Sequence, residues 1–86
     1  MWISRPMSQT RLAVLLEDAL TAAAGAERPV APVSLAVDYG AAGEGEMRVT
    51  TTIDRATRSL VFASARALWP DGRTAGGAQG VFRVTG

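Results

Sequence analysis

The chain contains neither histidine nor cysteine, and that absence decides which chemistry its remaining residues can do. Ser-His-Asp and Cys-His nucleophile schemes, cysteine-based zinc sites and disulfides are excluded, and acid-base work falls to carboxylates and hydroxyls. One such pair has useful spacing. Glu17 and Thr21 stand four residues apart in a run of helix formers, so they are neighbours one turn apart and could hold a water between them. Glu17 also falls at the flank of the apolar helix face, where partial burial would suit it to act as a base near neutrality. The plainer reading makes Glu17 and Asp18 ordinary polar interruptions of an amphipathic helix, and spacing alone leaves both readings open. Arg55 and Arg58 flank a turn signal. Their guanidinium groups match phosphate oxygens, although a solvated turn would look the same. Gly76, Gly77 and Gly80 make no phosphate loop, because no helix N-terminus follows them.

These residues sit on a simple succession of elements. Leu12, Leu15, Leu16, Ala19, Leu20 and Ala23 recur at the spacing of one helical face, predicting a helix from Leu12 to Ala24 that is buried against a sheet. Ser8 or Thr10 can serve as its N-cap, and Gly25 as its stop. A linker with Pro29 and Pro32 follows, then four strand-like runs: Val33 to Tyr39, Glu46 to Asp54, Arg58 to Trp69, and Arg73 to Val84. They are separated by a flexible loop at Gly40 to Gly45, a hairpin turn at Asp54 to Thr57 and a strong turn at Pro70-Asp71-Gly72. The third run sets Val61, Ala63, Ala65 and Ala67 on one face, smooth enough for a helix to lie close. The glycines of the fourth suggest a bulge or a close backbone approach. Trp69 reads as a cover for the sheet edge, and Trp2 as packed against a partner or the core. The class is α+β, a helix followed by an antiparallel four-stranded meander, in one domain over residues 1–86.

Composition narrows the partners. All nine basic residues are arginines spread along the chain, with a formal net charge of +1, which is not the concentrated basic face of a nucleic-acid binder. The apolar runs fall far short of a membrane span, and the first residues lack the apolar core of a signal peptide; the expectation is a cytoplasmic protein. A chain of 86 residues buries a modest share of its surface, which favours a partner subunit.

Read in order, the helix carrying Leu15-Leu16-Glu17 and Thr21, the strand ending at Tyr39, the run from Ile53 to Ala65 and the run from Asp71 to Val84 resemble a hotdog-fold thioesterase. The likeness is to the phenylacetic-acid-pathway and 4-hydroxybenzoyl-CoA type, over residues 12–84. The resemblance implies one long central helix wrapped by a curved four- to five-stranded antiparallel sheet, in a homodimer or homotetramer joined through sheet edges and helix. It further implies hydrolysis of an acyl-CoA thioester, with Glu17 as base or nucleophile, Thr21 as its hydroxyl partner and the Gln9 backbone amide as oxyanion donor. Arg55 and Arg58 would meet the phosphates of coenzyme A, which enters as part of the substrate; no metal or other cofactor is implied. The chain departs from the pattern where Ser8-Gln9-Thr10 replaces the family's His-Gly-Gly, and where the family's longer N-terminal strand and loop are reduced to a stub. Those departures favour an alternative, a non-catalytic hotdog domain that binds an acyl ligand or serves as an oligomeric assembly module. A generic helix-plus-sheet interaction domain is the third reading, and its signature would be the lack of a cavity beside Glu17.

Overall fold

The computed structural model describes residues 11–86. The expected N-caps Ser8 and Thr10, the Gln9 amide and Trp2 lie outside the described residues. Helix α1 spans Leu12–Ala24 with Arg11 at its N-cap position and no side-chain capping bond there. At its other end the Gly25 N–H donates to the Thr21 carbonyl at 2.9 Å, and Gly25 closes the helix at φ −92°, a conformation open to any residue.

Four strands follow: β1 (Val30–Tyr39), β2 (Arg48–Ala56), β3 (Leu60–Leu68) and β4 (Thr74–Val84). They form one antiparallel sheet in the order β1-β4-β3-β2, curved about α1. Only β2, β3 and β4 make a meander; β1 crosses over to pair with β4, against the expectation of four strands in sequence order. Alternation tells which face a residue takes, but says nothing of which strand lies alongside. The proline linker is also partly strand. β1 begins at Val30 and carries a register shift between Pro32 and Ser34, as an edge strand can.

The core forms where α1 crosses the middle of the sheet. Leu12, Leu16, Leu20 and Ala24 are buried along one stripe of the helix, and Val61, Ala63, Ala65 and Ala67 make the small-residue bed expected on β3. On β4 the close approach is real: a Cβ on Gly76 would stand 2.5 Å from Leu12 Cδ2 and 2.6 Å from the Asp38 carbonyl oxygen, and one on Gly80 would meet Phe82 at 2.9 Å and Leu20 at 3.4 Å. The missing side chains let the helix leucines sit on the strand backbone. The buried stripe is narrower than the apolar pattern implied, because Leu15 is 38% and Val14 54% exposed.

Two long-range contacts shape the turns. The Arg28 guanidinium donates to the carbonyls of Thr57 (2.9 Å) and Arg58 (3.1 Å), fixing the β2–β3 turn. That turn lies at residues 57–59 and not at 54–57, because β2 runs on to Ala56 after a register shift at Asp54. The loop expected to be flexible is pinned instead. Gly40 and Ala41 donate to the Ala75 and Thr74 carbonyls at 2.9 Å, while the buried Trp69 indole donates to the Ala41 carbonyl at 2.7 Å. Gly43 lies so close to that ring that a Cβ would approach it to 2.7 Å. Trp69 therefore sits under a loop and does not cap an edge.

Candidate functional site

Glu17 and Thr21 are both exposed on α1, one turn apart as their spacing requires. The partial burial expected for Glu17 is absent in the single chain. Which side of the sheet they look toward follows from the other flank. Arg11, Leu15 and Asp18 line a hollow of about 220 Å³ together with Met47, which leads into β2. Glu17 comes two residues after Leu15, about 200° further round the axis, so Glu17 and Thr21 take the flank toward β1.

On that side the sheet leaves apolar surface uncovered. Leu35 pairs with Gly80 and Tyr39 with Gly76, the two glycines beneath the helix leucines, and directly opposed residues share a face. Leu35 and Tyr39 thus stand on the helix side of β1, yet they are 38% and 55% exposed, and Val33 on the same strand is 58% exposed. A carboxylate and a hydroxyl beside an aliphatic and aromatic strip suit a substrate with an apolar tail and a hydrolysable polar junction. None of the five hollows that the described surface forms most clearly is lined by Glu17 or Thr21. The most voluminous of them, of about 490 Å³, opens on the sheet face away from α1 among Asp38, Thr50, Thr52, Ser64, Arg66 and Gln79, with the Ser64 hydroxyl donating to Asp54 Oδ1 at 3.2 Å.

The arginines are not brought to Glu17. Arg55 pairs with Phe62, whose neighbours Val61 and Ala63 are buried under α1, so by alternation Phe62 and Arg55 stand on the opposite face. The shift at Asp54 produces this placement. Arg58 lies in the turn itself, exposed, with its carbonyl held by Arg28. Two features went unread in the sequence: the open apolar strip of β1, and the bracing role of Arg28, whose acceptors lie 29 and 30 residues away. Among the described residues no group of three or more acidic residues is close enough to hold a metal, and no helix is long and apolar enough to cross a membrane.

No family model matches the chain, and no curated protein matches its sequence. Solved structures do. The BH2602 protein from Bacillus halodurans, determined with CoA, is similar over 88% of this chain and 54% of its own, with a TM-score of 0.81 and 20% identity. A protein from the thioesterase superfamily is similar over 88% of this chain and 60% of its own, with a TM-score of 0.74 and 22% identity. The chain spans little more than half the length of these structures. Its helix, laid in a curved antiparallel sheet of four strands, has the hotdog fold that they share.

Proposed function

We propose that this is a thioesterase-like hotdog domain that hydrolyses an acyl-CoA thioester in the cytoplasm, working as a homo-oligomer. The observation that supports the reading is that Glu17 and Thr21 share one exposed helix flank, taken together with the exposed Leu35 and Tyr39 on the helix side of β1. The acyl group lies against that strip. Thr21 holds a water, Glu17 takes a proton from it, and the resulting hydroxide attacks the thioester carbonyl; collapse of the oxyanion expels the thiolate, which recovers the proton. Glu17 acting directly as a nucleophile through an acyl anhydride is the other route open to the same pair. The Gln9 amide, as oxyanion donor, would stabilise the charge that develops. Because Arg55 stands on the far sheet face, Arg55 and Arg58 would serve as phosphate contacts for coenzyme A bound at another copy of the chain.

The test is turnover of a panel of acyl-CoAs by the wild type and Glu17→Gln. A drop of about 100-fold in the variant is expected; equal rates, or no turnover of any substrate by the wild type, would overturn the reading. A specific observation also favours the third reading, a generic helix-plus-sheet interaction domain, since none of those hollows reaches Glu17. Coenzyme A binding without hydrolysis in the same panel would instead select the non-catalytic hotdog domain that binds an acyl ligand.

A further inference from the structure

Gly77 is the one glycine of β4 that the helix does not explain. Gly76 and Gly80 leave room for Leu12 and Leu20, but a Cβ on Gly77 would meet only the Ala65 carbonyl oxygen, at 3.2 Å. Glycine inside a strand weakens it and often marks the close approach of a ligand or another backbone. The register says from which side. Gly77 pairs with Arg66 on β3 and with Asp38 on β1, and opposed residues share a face. Arg66 stands between Ala65 and Ala67, which are buried under α1, so Arg66, Gly77 and Asp38 lie on the sheet face away from the helix. Across β2, β3, β4 and β1 the row there reads Thr50, Arg66, Gly77, Asp38, a base and an acid with a gap between them. Thr52, Ser64 and Gln79 make the next row, and both rows line the hollow of about 490 Å³. We infer that this hollow binds a small zwitterion with a polar body, such as a free amino acid, its carboxylate on Arg66, its ammonium on Asp38 and its body over Gly77. The site faces away from Glu17, so it stands or falls apart from the hydrolysis proposed above.

The charges set the chemistry of the guest. Neither Arg66 nor Asp38 belongs to the ion pair found among the described residues, Arg73–Asp71, and both are exposed. A guanidinium fork matches a carboxylate, and a carboxylate matches the three donors of an ammonium group. Two strand spacings, about 9.6 Å between Cα atoms, separate the two residues, and glycine leaves that interval free of side chain. A simple anion such as phosphate would be drawn to Arg66 and repelled by Asp38, and a simple cation would meet the reverse; only a guest with both charges satisfies the pair. No aromatic residue lines the hollow, so it lacks the stacking platform that a nucleobase uses. The hydroxyls and the Gln79 amide suit a polar body over an aliphatic one. The Ser64 hydroxyl already donates to Asp54 Oδ1 at 3.2 Å, which leaves its oxygen to accept from a guest.

Titration of the intact chain with L-glutamine and with L-serine, followed by amide chemical shifts, should give saturable changes at Asp38, Arg66 and Gly77 and none at Glu17 or Thr21. Acetate and methylammonium, each carrying one of the two charges, should bind at least about fivefold more weakly. Asp38→Asn and Arg66→Gln should each weaken the amino acids by about fivefold with unchanged melting, because both side chains are exposed. Gly77→Ala should weaken them too, by placing a methyl group in the gap, and the two charge variants decide the matter should that chain not fold. No saturable change with either amino acid, single-charge ions that bind as tightly, or charge variants that bind undiminished would each overturn the inference. So would altered sedimentation of Asp38→Asn or Arg66→Gln, since the two charges would then serve a second copy of the chain laid on this face.

Discussion

Among the described residues β1 and β2 bound the same sheet, and they differ in nearly every respect that governs what can lie against them. β1 turns Leu35 and Tyr39 toward the helix side and leaves them uncovered, interrupts its own edge at Pro32 and faces the flank of α1 that carries Glu17 and Thr21. β2 is threonine-rich, exposed and free of proline and glycine, and faces the flank with Leu15 and Asp18. Apolar side chains beside a blunted backbone suit a ligand with an apolar tail. An open ladder with modest side chains suits another strand, whose main-chain groups it can satisfy. The two sides of a single core thus offer surfaces of different kind.

That division assumes a shared floor, and the largest effect should come from removing it. Leu16 is fully buried between the two flanks. Leu16→Ala should cost about 3 kcal/mol by chemical denaturation, from lost transfer energy and the cavity left behind. An unchanged midpoint would mean that the flanks do not rest on a common core. Next comes the chemistry. Glu17→Gln should reduce thioester hydrolysis about 100-fold, while Asp18→Asn, one residue on and toward β2, should leave it unchanged. If Asp18→Asn were the damaging change, the assignment of the two flanks would be reversed.

Much of this architecture is written locally in the chain. The alanines of β3 and the glycines of β4 announce a bed for a helix, because nothing else explains small residues at period two beside glycine in a strand. The leucine stripe of α1 supplies the matching half. Strand order was not legible, since β1 pairs with β4 while the loop that follows it is fixed by Trp69, a contact between residues 28 apart. The site was half legible. Periodicity sets Glu17 and Thr21 on one flank, but exposure depends on whether anything covers β1, which pattern alone does not state. Arg55 takes the sheet face away from α1 for a related reason: one extra residue at Asp54 reverses the face of everything after it, and nothing in the composition of the run marks the shift.

A smaller effect tests the apolar strip directly. Leu35→Asn should raise KM about tenfold for a long-chain acyl-CoA and leave acetyl-CoA unaffected, because only the long chain loses apolar contact. Ile53→Asn on the β2 side should shift neither value. Parallel losses in both variants would mean that the acyl group does not distinguish β1 from β2.

The smallest effect belongs to the hairpin joining β3 to β4, which serves both sides equally. The Arg73 backbone N–H donates to Asp71 Oδ1 at 3.0 Å and the guanidinium Nε to Oδ2 at 2.7 Å. These bonds favour the charged carboxylate and hold Asp71 below its ordinary value of 3.8, the backbone bond contributing most. A group whose pKa is depressed on folding adds stability above its unfolded value and loses it as pH falls through the folded one. The contribution should therefore fade below about pH 4, and it should be slight, since Asp71 is exposed and its pair with Arg73 is screened by water. In an acid titration followed by NMR, the Arg73 amide should move with Asp71 in the wild type and stay still in Asp71→Asn. Signals from Leu35 and Thr51 moving in step with it would tie the turn to one edge of the sheet and break the symmetry on which the comparison stands.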